Sequence, residues 1–104
     1  MANPWTGEAE VRIDGAPYAC KLTLGALAEL EAGLGEGSLI DLIRRFESGA
    51  FSSRDVMAVI VAGLRGGGWQ GTADDLLSAE IAGGPVGAAQ LAATLLARAF
   101  APPP

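Results

Sequence analysis

Ser52-Ser53-Arg54-Asp55-Val56-Met57-Ala58-Val59-Ile60-Val61-Ala62-Gly63-Leu64-Arg65-Gly66-Gly67-Gly68 is the stretch on which the fold turns. Val56, Met57, Val59, Ile60, Val61 and Leu64 spread around the whole circumference of a helix, with only alanine and glycine between them. A helix that is apolar all round is buried, in a protein core or in a membrane. The apolar run is roughly nine residues, and a bilayer span needs about 20. The stretch is therefore read as a core helix over 55–65, and the remaining segments must cover it.

Working outward, the 104 residues form one domain, with 1–6 and 101–104 as frayed tails. A chain of this length buries roughly two-thirds of its unfolded surface. Half the residues are hydrophobic and 18% are charged, a globular composition. The net charge is −5 with the acids dispersed, and the only adjacent basic pair is Arg44-Arg45, read as the wet side of a helix. A clustered basic surface is what phosphate binding needs, so nucleic acid and anionic membrane are not expected partners. One cysteine, Cys20, excludes an internal disulfide, and the absence of histidine argues against zinc or iron sites. No metal or cofactor is expected. The N-terminus lacks the basic start and apolar stretch of a secretory signal, so the expected location is cytoplasmic. Six of the seven basic residues are arginine and alanine abounds, a composition associated with GC-rich bacterial genomes.

Ahead of the central helix, Ala9, Val11 and Ile13 alternate with Glu8, Glu10 and Arg12, the period of a strand. Asp14-Gly15 suits a two-residue turn in which both central residues need positive φ. That register pairs Ile13 with Ala16, Val11 with Tyr18 and Ala9 with Cys20 on the apolar face, and sets Glu8 opposite Lys21. Pro17 has no N–H for a ladder and points to an outward edge. A helix follows over 24–34, with Leu24, Leu27, Leu30 and Leu34 along one side and Thr23 as its cap. Glycines 33, 35 and 37 break it. A second spans Leu39 to about Ser48. After the central helix come a short helix over 73–82, carrying Leu76, Leu77 and Ile81, and a last one over 85–100. Pro85 opens this last helix, which carries a polar stripe of Gln90, Thr94 and Arg98. The fold expected is α+β, mostly α: a two-stranded hairpin followed by about five helices packed around a central buried one.

Ser38–Asp41, Ser52–Asp55 and Thr72–Asp75 each set a hydroxyl three residues before a carboxylate at a helix start, the spacing of a capping box. Arg65-Gly-Gly-Gly-Trp69 follows a helix and lacks the lysine of a phosphate loop, so it reads as a helix stop. Cys20 on the inward face behaves as a small hydrophobe. No pair of carboxylates is set by spacing into one cleft, and no catalytic residue is assigned. Trp5 and Trp69 lie in loops, where an aromatic packs on the core or meets a partner. Trp69, Leu91, Leu95 and Phe100 are the candidates for partner contact, on the view that five helices leave part of the last one uncovered.

The segments Glu10–Gly15, Leu22-Thr-Leu-Gly-Ala-Leu-Ala-Glu-Leu-Glu31, Arg45–Gly49 and Asp55–Gly68, in this order and spacing, resemble the small gene-transfer-agent tail protein family. That family groups with phage tail assembly chaperones and also carries the label phage tail tube protein. The resemblance covers roughly Gly7 to Phe100. It implies a non-enzymatic role, with the protein holding the tape measure protein soluble while tail tube subunits polymerise around it. It also implies that the chain is absent from the finished particle. The family brings no catalytic residues. A structural subunit of the tail, found in the particle, is the second reading. An acyl-carrier-like protein modified at Ser38 is the third, because Gly37-Ser38-Leu39 is similar to the carrier attachment site. A homo-oligomer is compatible with any of the three.

Overall fold

The computed structural model describes residues 7–34 and 38–101. Trp5, the glycine breaks at 35 and 37 and the proline tail lie outside the described residues. The elements are β1 (Glu8–Ile13), β2 (Ala16–Lys21), α1 (Leu24–Gly33), α2 (Leu39–Ser48), α3 (Ser53–Gly66), α4 (Ala73–Leu76) and α5 (Gly84–Ala99). The α+β architecture, mostly α, is the one read from the sequence.

The hairpin has the expected register, Glu8 opposite Lys21 through Ile13 opposite Ala16. Asp14 and Gly15 take φ of 50° and 83°, the positive values a tight two-residue turn requires. The turn is also held from outside. The Asp14 N–H donates to the Glu80 carbonyl (2.8 Å) and the Ala82 N–H to the Arg12 carbonyl (3.0 Å). The Glu80 N–H donates to Asp14 Oδ1 at 2.9 Å. Residues 80–82 thus run beside β1, with Ile81 bridging Ile13.

This corrects the expected helix over 73–82. It stops after one turn at Leu76: the Leu77 and Ala79 N–H groups close tight turns on the Asp74 and Leu76 carbonyls, and the Glu80 and Ala82 N–H groups find partners on the hairpin instead of extending the helix. Asp75 still anchors its start, its carboxylate accepting from the Thr72 N–H at 2.8 Å.

Helix α3 lies at the centre, against β2, α5, α1 and α4. Val59, Ile60, Ala62, Gly63 and Leu64 are buried. Val56, Met57, Ala58 and Val61 are only partly covered. The helix is therefore not enclosed all round: the side chains of its first half stand partly open. The core joins Val59, Ile60 and Leu64 to Val11 and Cys20 of the hairpin, Leu30, Leu42, and Ala92, Leu95 and Leu96 of α5. On α1 the inward residues are Ala26 and Leu30, whereas Leu24 is 87% exposed and outside the expected stripe.

The glycines ending α3 do more than stop it. A Cβ on Gly66 would lie 1.9 Å from the Lys21 carbonyl oxygen, and one on Gly67 2.1 Å from that of Ala19. Backbone meets backbone there, and only glycine leaves room. Gly63, one turn earlier, admits Leu95 Cδ1 and Cys20 Cβ.

Helix α2 is tied to α3 by Arg45, which makes two bonds of 3.0 Å to the Asp55 carboxylate. Arg45 is thus not part of a purely wet face. Asp55 also accepts from the Ser52 N–H at 2.9 Å, completing the expected capping box. Its carboxyl is held below the usual range, first by the bond from Arg45 and against the opposing effect of burial.

Candidate functional site

The two hydroxyl and thiol candidates are occupied structurally. Ser38 Oγ accepts from the Asp41 N–H at 3.2 Å and caps α2. Cys20 is fully buried, and desolvation pushes its thiol up to about 12, which removes the thiolate that nucleophilic chemistry requires. Among the described residues no group of three or more His, Cys, Asp or Glu side chains is placed to hold a metal ion.

What the fold builds instead is an apolar trough between α3 and α5. Its inner chamber, about 290 Å³, is lined by Val56, Met57 and Ile60 of α3, Leu76, Ile81 and Ala88. Its outer cleft, about 470 Å³, lies among Phe46, Phe51, Val86, Ala89 and Ala93. Phe51, Pro85 and Ala89 line both, so the two are continuous. Phe46 and Phe51 stack with ring centres 4.8 Å apart and planes within 4°, a rigid aromatic wall. No charged side chain lines either part. Such a surface suits an apolar side chain or helix and offers nothing to polarise a bond.

Of the four sequence candidates, Leu95 is fully buried and lies over Gly63, in the core. Leu91 and Trp69 are half-buried against the same core. The Trp69 ring is so tightly wrapped that a Cβ on Gly71 would fall within 2.0 Å of it. Phe100 is 49% exposed at the end of α5. The four do not come together in one surface. The expected polar stripe of α5 is not its wet side either: Thr94 and Arg98 are half-buried, and the Arg98 guanidinium donates to the Glu8 carbonyl of β1. Beyond Gly84 and Pro85 at its start, the exposed positions of α5 are Val86, Gln90 (of the expected stripe), Ala93 and Ala97, with Phe100 exposed at its C-cap. Their spacing of four and three was present in the sequence, but so were other apolar stripes on a helix this rich in alanine. Val56 and Met57, which line the trough, belong to the helix read as core, because nothing local shows where residues 80–82 go; Phe51 has no role read from the sequence.

The hairpin adds a second constraint. With a two-residue loop, Ile13–Ala16 is a hydrogen-bonded pair, so the peptide groups of Pro17, Ala19 and Lys21 point away from β1. Pro17 has no N–H to offer, and the carbonyls of Ala19 and Lys21 face Gly67 and Gly66. The outer edge of the hairpin is therefore largely closed to another strand.

The described residues thus form a small α+β fold, mostly helical, with an uncharged apolar trough and a largely closed hairpin edge. The chain belongs to the family described as phage tail tube protein, GTA-gp10, whose profile matches residues 6–102. It is thus a tail-related protein of phage or gene-transfer-agent type. No curated protein and no solved structure matches the chain.

Proposed function

We propose that the protein is a tail assembly chaperone that holds the tape measure protein while tube subunits polymerise around it. It then leaves before the particle is complete. The observation that carries this reading is the uncharged trough beside α3, in a member of a tail family. A long helical client presents apolar side chains at intervals of three and four, and a trough between two helices receives such a ridge. Met57, which lines the inner chamber, lends the adaptability that a chaperone for a varied client surface needs. On this reading the protein acts in the bacterial cytoplasm, with the tape measure protein and the tail tube protein as partners and no enzymatic activity.

The family description favours a second reading, a structural subunit of the tail tube. A tube built by pairing sheets between neighbours needs open strand edges, and the closed hairpin edge speaks against that route.

Coexpression with the tape measure protein of the same gene cluster separates the two. The expected result is a soluble complex that Met57→Glu disrupts, with the chain absent from purified particles by mass spectrometry. Stoichiometric recovery of the chain in particles would establish the tube subunit instead.

A further inference from the structure

We infer that the exposed face of α5 is a two-fold interface between two copies of this chain, packed antiparallel about Ala93. The exposed residues Val86, Gln90, Ala93, Ala97 and Phe100 recur at four, three, four and three, the seam of a helix that packs against another helix. The seam is nearly palindromic. Running it backwards sets Phe100 against Val86, Ala97 against Gln90, and Ala93 against itself. An isologous interface requires this self-complementarity.

The two ends of α5 also differ in a way that fits. Phe100 is a half-exposed aromatic knob at the C-terminal end. The outer cleft, walled by Phe46, Phe51 and Val86, is an apolar hole at the N-terminal end. Fourteen residues separate Val86 from Phe100, about 21 Å along the helix. Antiparallel packing carries each Phe100 to the mouth of the other copy's cleft, filling both holes. A single client helix fills the hole and leaves Phe100 bare. From Pro85 to Ala97 the helix has no charged residue, so two chains of net charge −5 meet there without opposing like charges. Alanines at the centre let the backbones approach closely.

A strip about 21 Å long and about 10 Å wide on each copy, with one half-exposed phenylalanine inserted from each side, brings the buried total to roughly 800 Å², in the range of weak contacts just under the ~1,000 Å² of a stable specific interface. It falls short of the ~1,600 Å² of a standard one. The dimer is accordingly weak and concentration-dependent. Phe100 of the other copy occupies the outer cleft that the proposed function gives to the client, so dimer and client compete for it, and the dimer is tested on the chain alone.

Sedimentation equilibrium of the purified chain over a wide concentration range tests this. The expected mass rises from 10.5 kDa towards twice that value. Phe100→Ala and Ala93→Glu, both at exposed positions, should each weaken association at least tenfold while leaving the circular dichroism spectrum and the melting temperature unchanged. Under mild oxidation Ala93→Cys should give a disulfide-linked dimer, whereas Leu24→Cys, at an exposed position on α1, should not. A monomer at every concentration overturns the proposal, as does association that both α5 substitutions leave intact. So does a chain that stays monomeric alone and uses Phe100 only to bind a client helix.

Discussion

Cys20 shows how a single residue is silenced by its surroundings. Buried between β2 and α3, its thiol is pushed up to about 12, so the folded protein holds no thiolate at ordinary pH. Ellman's reagent at mildly alkaline pH should react with the native chain only as fast as it opens, and at once in denaturant. Asp55 is the opposite case, a carboxylate stabilised by being charged. Its folded pKa lies below the unfolded value, so its contribution is fully present above about pH 4 and is lost as pH falls through the depressed folded value. Urea midpoints measured between neutral pH and about pH 2 should therefore fall at the acid end. In Asp55→Asn the acid fall should be shallower, from a starting stability about 1–2 kcal/mol lower because the cap and the Arg45 pair are both weakened.

Among the elements, the contact of α3 with β2 is the one most exposed to test. Gly66 and Gly67 lie against the carbonyls of Lys21 and Ala19, and carbonyl oxygens of a paired strand cannot swing aside as a side chain does. Gly66→Ala and Gly67→Ala should each cost about 2–4 kcal/mol in denaturant unfolding, since the helix end must lift from the strand. Gly68→Ala is the comparison: it has open space but a φ of 107°, so it should cost about 1 kcal/mol from backbone strain alone. A larger loss at Gly68 than at Gly66 would contradict this account. The sequence showed these three glycines as a helix stop, and they are one. That the first two are also a contact surface was not legible, because the strand they touch lies more than forty residues earlier.

At the scale of the whole molecule, the trough exists because three segments fail to close over α3. Helix α4 is a single turn, residues 80–82 run beside β1, and α2 reaches α3 through the Arg45–Asp55 pair near the start of α3. Met57→Glu places a charge in the lining of the inner chamber without disturbing the buried side of α3. It should leave the melting temperature within about 2 °C, since substitutions outside the core are worth only ~0.5 kcal/mol. Retention of the tape measure protein should nevertheless fall at least tenfold in a pull-down. A variant that unfolds, or one that binds its client undiminished, would remove the trough from the mechanism. The Ile13–Ile81 bridge that sets this arrangement joins residues 68 positions apart, beyond the reach of any helical or strand period.

The sequence alone determined the hairpin with its register and Asp14-Gly15 turn, the helix starts at Ser38, Ser52 and Thr72 (with the full two-way box at Ser52–Asp55, the hydroxyl half at Ser38 and the carboxylate half at Thr72), and the central place of 55–65. Each follows from local rules: strand alternation, positive φ at a tight turn, unpaired N–H groups at a helix start, and an apolar circumference. Only the tertiary structure decided that residues 80–82 join β1 instead of extending a helix. It also decided that Arg45 is spent on Asp55, and that Leu95 is core while Val86 and Phe100 are surface. Those outcomes depend on which distant backbone and side-chain groups compete for the same partner. On an alanine-rich helix such as α5, hydropathy favours no face, and burial is assigned by whatever the rest of the chain leaves uncovered.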